Sequence, residues 1–105
     1  MEKRVEIAGE MYRLCYSVNA LCEVERLAGG SLDALMEKQF SACRLLLWGA
    51  LTEHQSGITL QGAGEIISRH IRMGGTLEDI VNMCAEALSE AGFFSQAAMQ
   101  EITGA

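Results

Sequence analysis

Apolar positions alternate near the start of the chain and then fall into helical spacing. Val5 and Ile7 alternate with Arg4, Glu6 and Ala8, the pattern of a half-buried strand. Met11, Leu14 and Tyr16 read as the apolar positions of a second strand, with Gly9-Glu10 as the turn between the two. A lone hairpin is marginal in water. This one is therefore expected to lie on the helices or to pair with another chain, and its edges are potential docking sites.

The helical spacing starts after Ser17, a good N-cap, and predicts a helix from Val18 to about Ala28. Leu21, Val24 and Ala28 share its apolar stripe; Glu23 and Arg26 fall outside it. Gly29-Gly30 end it, because glycine accepts the left-handed C-terminal conformation. Ser31 then caps a shorter predicted helix through Leu35 and Met36 to about Lys38. From Phe40 to about Glu53 the residues are apolar on nearly every side, with Leu45, Leu46, Leu47 and Trp48 consecutive. A helix apolar all round is covered by neighbours, so this segment is expected to be the core helix. His54-Gln55-Ser56-Gly57 is a polar turn, and Thr59 caps a helix with Leu60, Ala63, Ile67 and Ile71 on one face. Gly62 and Gly64 each weaken that helix by about 1 kcal/mol relative to Ala, so packing must compensate. Gly74-Gly75 stop it. Thr76 and Asp79 have the spacing of a capping box. The next helix turns Leu77, Ile80, Val81, Cys84 and Leu88 inward and Glu78, Asp79, Asn82 and Glu86 outward, and ends near Gly92. Together these elements predict a mainly α fold: one small multi-helix domain with a short N-terminal β-hairpin. The hairpin occupies 1–16, the helical core 17–92, and an apolar C-terminal tail 93–105.

Size and composition agree with this reading. At 105 residues, half hydrophobic and with no Pro, the chain is long enough for one core without disulfides or metal. No apolar run reaches the ~18–20 residues needed to span a bilayer, and MEKRVEIAGE lacks a signal-peptide core. The expected location is the cytoplasm, where the four cysteines would be reduced thiols.

Charge narrows the partners. The formal net charge is −6, and from Met73 onward there is no Lys or Arg. Glu78, Asp79, Glu86, Glu90 and Glu101 all lie in that C-terminal third. Phosphate binding needs a basic face, so nucleic acid is disfavoured and a basic protein partner is compatible. A helix-turn-helix made from Leu60–Met73 and Leu77–Leu88 would present Glu78, Asp79 and Glu86 to the phosphates.

Catalytic and cofactor chemistry find little support. Cys15, Cys22, Cys43 and Cys84 form no C-x-x-C pair, and His54 and His70 lack zinc spacing. Cys22, Cys43 and Cys84 fall at apolar or mixed helix positions, where a free thiol acts as a small hydrophobe. No nucleophile elbow or oxyanion loop accompanies them, and His70 reads as a packed or rim histidine. Gly62-Ala63-Gly64 lacks the ending of a P-loop and the strand before a dinucleotide fingerprint. The expectation is a protein with no enzyme activity, metal or cofactor. Protein binding remains, through the hairpin edges, Phe93 and Phe94 in the apolar tail, or the acidic face of Glu78, Asp79 and Glu86.

The stretch from Cys15 to Leu60 resembles the small tail assembly chaperones of tailed phages and prophages, including the related proteins of gene transfer agents. The resemblance rests on NALCEVE (Asn19, Leu21, Glu23 and Glu25), on LLLWGAL (Leu47, Trp48 and Leu51), and on the Thr59-Leu60 helix start. Gly62 and Gly64 depart from that family's usual pattern. The resemblance implies a non-catalytic chaperone that binds the tape-measure protein, keeps it soluble, helps tail-tube subunits polymerise around it, and is absent from the finished virion. Homo-oligomerisation and a frameshifted longer form would also fit. The alternatives are a helical adaptor or oligomerisation domain with another partner, and a helix-turn-helix transcriptional regulator.

Overall fold

The computed structural model describes residues 2–29 and 38–92. Within them lie two strands, β1 (Lys3–Ile7) and β2 (Glu10–Leu14), and four helices: α1 (Val18–Ala28), α2 (Gln39–Leu51), α3 (Leu60–Arg72) and α4 (Leu77–Glu90). The predicted helix at Ser31 and the tail with Phe93 and Phe94 lie outside the described residues. The fold is mainly helical with an N-terminal antiparallel hairpin, as the periodicity predicts.

The hairpin turn differs by one residue from the expected Gly9-Glu10. Ile7 pairs with Glu10, leaving Ala8 and Gly9 as the loop, both at positive φ (53° and 82°). Two-residue loops favour this handedness because it matches the strand twist. The register also corrects the apolar set of β2. Tyr12 and Leu14 point into the core opposite Val5 and Lys3, and Met11 is 66% exposed. Strand side chains alternate strictly, so Met11 and Leu14 cannot share a face. Tyr12 takes the inward position because its ring is buried while its hydroxyl donates to Glu10 and accepts from Arg69.

Side-chain caps define three helix starts. Ser17, Thr59 and Thr76 each accept a backbone N–H three residues on, and Asp79 completes the capping box by accepting from the Thr76 N–H. Gly29, at φ 77°, ends α1. Between them α2 is the central element: it packs against α1, α3, α4 and β2. Leu46, Leu47, Ala50 and Leu51 are buried along it. Its last turn is tied to the hairpin, since the Cys15 N–H donates to the Ala50 carbonyl at 2.9 Å. That carbonyl is among those a helix end leaves without an internal partner. Tyr16 is buried beside it and donates to the Leu46 carbonyl at 2.6 Å. On α3 the inward face is Ala63, Ile66 and Ile67, and Ile71 is 42% exposed instead of inward. α2 ends at Leu51, two residues earlier than Glu53, and the following turn sends the Gln55 N–H back to the Leu51 carbonyl.

The cysteines divide by depth. Cys43 and Cys84 are buried, Cys15 is half-buried and Cys22 is exposed, which corrects the reading of Cys22 as a packed residue. Burial pushes the Cys43 and Cys84 thiols up to about 12, so neither supplies thiolate near neutral pH. Titration of the native protein with a thiol-specific reagent is expected to modify Cys22 first and Cys15 more slowly. Cys43 and Cys84 should react only on unfolding, and rapid labelling of all four would contradict this packing.

Candidate functional site

The outward face of α2 lies in its first turns. Gln39, Phe40, Ser41 and Arg44 are exposed there, and from Leu45 to Leu51 every residue except half-buried Trp48 is buried. Phe40 is 75% exposed, so the expectation that the whole Phe40 segment lies in the core fails at its first turn. Two hollows flank this turn. One, of about 320 Å³, is lined by Phe40, Arg44, Ile67, Ile71 and Leu77, with Gly64 at its wall. The other, of about 220 Å³, is lined by Leu27, Lys38, Leu45 and Leu60. Both include Ser41 and Arg44, so they adjoin as two parts of one surface. Leu27 and Ile71, 41% and 42% exposed, stand on opposite sides.

Gly64 explains how Arg44 lies there. A Cβ at position 64 would stand 3.3 Å from Arg44 Cδ, so the glycine lets the arginine stem rest against α3. Gly64 is thus a close-approach residue. At Gly62 a Cβ would instead meet Ile58 and Thr59.

The charges here contrast with those of the chain. Residues 38–73 carry Lys38, Arg44, Arg69 and Arg72 against Glu53 and Glu65, while the whole chain is at −6. Neither Lys38 nor Arg44 forms an ion pair among the described residues. α2 also begins without a side-chain cap and with no acid in its first turn. The positive end of its dipole therefore adds to the two cations.

The predicted acidic face is partly used within the fold. Glu86 pairs with Lys3 at 3.1 Å, and Lys3 also reaches Glu90 at 3.4 Å. The hydrogen bond to Glu86, together with both carboxylates, raises the Lys3 pKa. Asp79 caps α4 and meets His70 Nε2 at 3.0 Å. Glu78 is exposed and has no ion pair among the described residues. Phe93 and Phe94 lie outside the described residues.

His70 joins the ends of two helices, and Gly75 makes room for it: a Cβ at 75 would collide with the imidazole ring. The Thr76 N–H, and then His70, hold the Asp79 carboxyl below its usual 3.8. A carboxylate whose folded pKa is depressed adds stability above its unfolded pKa and loses it as pH falls through the folded one. Thermal unfolding of the native chain is therefore expected to lose stability on acidification below about pH 4 more steeply than Asp79→Asn. Parallel pH profiles would show that Asp79 contributes nothing.

Among the described residues no three His, Cys, Asp or Glu side chains cluster so as to hold a metal ion, and no helix is long and apolar enough to cross a membrane. A third hollow, of about 280 Å³, lies beside β2 between Met11, Arg13, His54 and Gln55. Arg13 is engaged there by Glu2 at 2.9 Å and lies 3.4 Å from His54 Nδ1. No protein-family model, curated protein or solved structure matches the chain.

Proposed function

We propose that this protein is a non-catalytic tail assembly chaperone of the phage, prophage or gene-transfer-agent type. In this reading it holds apolar helical stretches of a tape-measure protein in solution until tail-tube subunits assemble around them. The single observation that carries the reading is the open groove on α2, where Phe40, Leu27 and Ile71 are exposed together, while Met11, Val18 and Met73 are exposed elsewhere on the domain. Exposed apolar surface of this kind marks partner sites. Each Å² of it covered by a client contributes about 25 cal/mol. The likeness of the Cys15–Leu60 stretch to that family supplies the client. The protein acts in the cytoplasm of the bacterial host and leaves before the particle is complete.

Co-expression with the tape-measure protein encoded nearby, followed by pull-down, tests the proposal. Soluble co-purification is expected. A tape-measure protein that stays insoluble and unbound would overturn it.

A further inference from the structure

We infer that the α2 groove is a docking site for an amphipathic helix of a partner protein that carries an acidic residue between two apolar anchors. This inference rests on the chaperone reading for the partner's identity but on the groove alone for its chemistry.

The surface has two hollows, one lined by Phe40 and Ile71 and the other by Leu27 and Lys38, and Arg44 lines both. Exposed Phe40 and Ile71 at one hollow and Leu27 at the other, with Arg44 lining both, match a helix face that reads apolar, acidic, apolar. Helix-in-groove recognition uses such anchors at i, i+3, i+4 and i+7. Anchors at i and i+7 stand about 10.5 Å apart along the axis, and an acid at i+3 or i+4 falls between them. There it would meet the Arg44 guanidinium. Bidentate pairing of arginine with carboxylate adds both orientation and strength.

A second feature favours the same ligand charge. The α1, α3 and α4 helices each start with a Ser or Thr side chain accepting a backbone N–H, whereas α2 starts at Lys38 with no such bond. A partner carboxylate near Lys38 would face the positive end of the α2 dipole. A basic helix would meet Lys38, Arg44 and the positive end of α2 together. The groove therefore selects against the basic client that the acidic composition of the chain suggests. Local charge governs contact, and distant charge is screened beyond about 8 Å at physiological salt.

The acidic outward face of α4 in a second copy is a poorer fit: it carries Glu78, Asn82, Glu86 and Glu90 but no large exposed apolar residue to fill the hollows.

The test uses the full chain and a pair of labelled 16-residue helical peptides. One carries Leu and Phe anchors with Glu between them; its twin has Lys in place of Glu. Fluorescence anisotropy is expected to show the Glu peptide binding at least tenfold more tightly, with the preference shrinking as salt rises. Arg44→Glu should weaken the Glu peptide at least tenfold and turn the preference toward the Lys twin. Phe40→Ser should weaken both peptides. Both side chains are exposed, so unchanged thermal unfolding of the variants is the control for folding. Equal binding of the two peptides, binding of neither, or indifference to Arg44→Glu would overturn the inference.

The two proposals fail separately. If the Phe40→Ser, Arg44→Glu double variant still co-purifies with soluble tape-measure protein, the groove assignment falls and the chaperone reading stands. If the native chain binds the Glu peptide but leaves the tape-measure protein insoluble, the chaperone reading falls and the groove stands.

Discussion

Leu47→Ala is expected to cost about 2–5 kcal/mol of folding stability, as buried Leu-to-Ala truncations do. Leu47 is fully buried on α2, the helix that meets α1, α3, α4 and the hairpin. Packed on every side, the site leaves little room for neighbours to collapse into the vacated space. Both the lost transfer free energy and the residual cavity therefore count. A chain of this size is stable by only about 5–15 kcal/mol, so the upper end of that range would leave much of it unfolded at working temperature. Denaturant titration followed by far-UV circular dichroism measures the loss. A loss under 1 kcal/mol would mean that α2 is not the centre of the fold.

Gly49→Leu is expected to cost on the order of 3 kcal/mol or more, by overpacking rather than by a cavity. A Cβ at Gly49 would stand 2.7 Å from Val24 Cγ2 and 3.6 Å from the Tyr16 ring. Valine is branched at Cβ and stiff about χ1, so its methyl cannot swing aside. One of the helices, α1 or α2, must therefore move. Gly49→Ala separates the two opposing effects. Alanine contributes about 1 kcal/mol of helix propensity over glycine but meets the same contact with Val24. Val24→Ala removes that contact, so the Gly49→Ala, Val24→Ala pair should lose less stability than its two single changes added. Coupling between contacting residues runs at about 0.5–3 kcal/mol, within reach of a double-mutant cycle. Simple additivity would place Gly49 away from Val24.

Much of this architecture can be read from single residues. Ser17, Thr59 and Thr76 start helices because their hydroxyls satisfy N–H groups that the backbone leaves open, and the Thr76–Asp79 box forms as its spacing predicts. Gly29 ends α1 in the left-handed conformation that its sequence position suggests. The errors have local causes. Ala8 adopts positive φ, a conformation that alanine rarely signals, so the turn shifts by one residue. Tyr12 is hidden by its polar tip, and only the pleat shows that it takes the core position expected of Met11. On α3, Ile71 drifts to the rim while Ile66 turns inward, a difference that the Leu60, Ala63 and Ile67 stripe does not resolve.

The groove was less legible for a different reason. Its walls come from α1, α2, α3 and the start of α4, which meet only in the fold. Its leading residue, Phe40, sits in a segment so apolar that nothing distinguishes its exposed turn from its buried ones. The acidic face misled in the opposite sense. Glu86 looks unpartnered along the chain and Asp79 looks engaged only by Thr76, but folding brings Lys3 to the first and His70 to the second.

The most direct test of the central claim maps the client onto the surface residue by residue. Adding an apolar helical fragment of the tape-measure protein to the 15N-labelled chain should shift the amide signals of Lys38–Leu45, of Leu60–Ile71 and of Leu27. Shifts confined to the hairpin or to the outer face of α4, or no shifts at all, would contradict it.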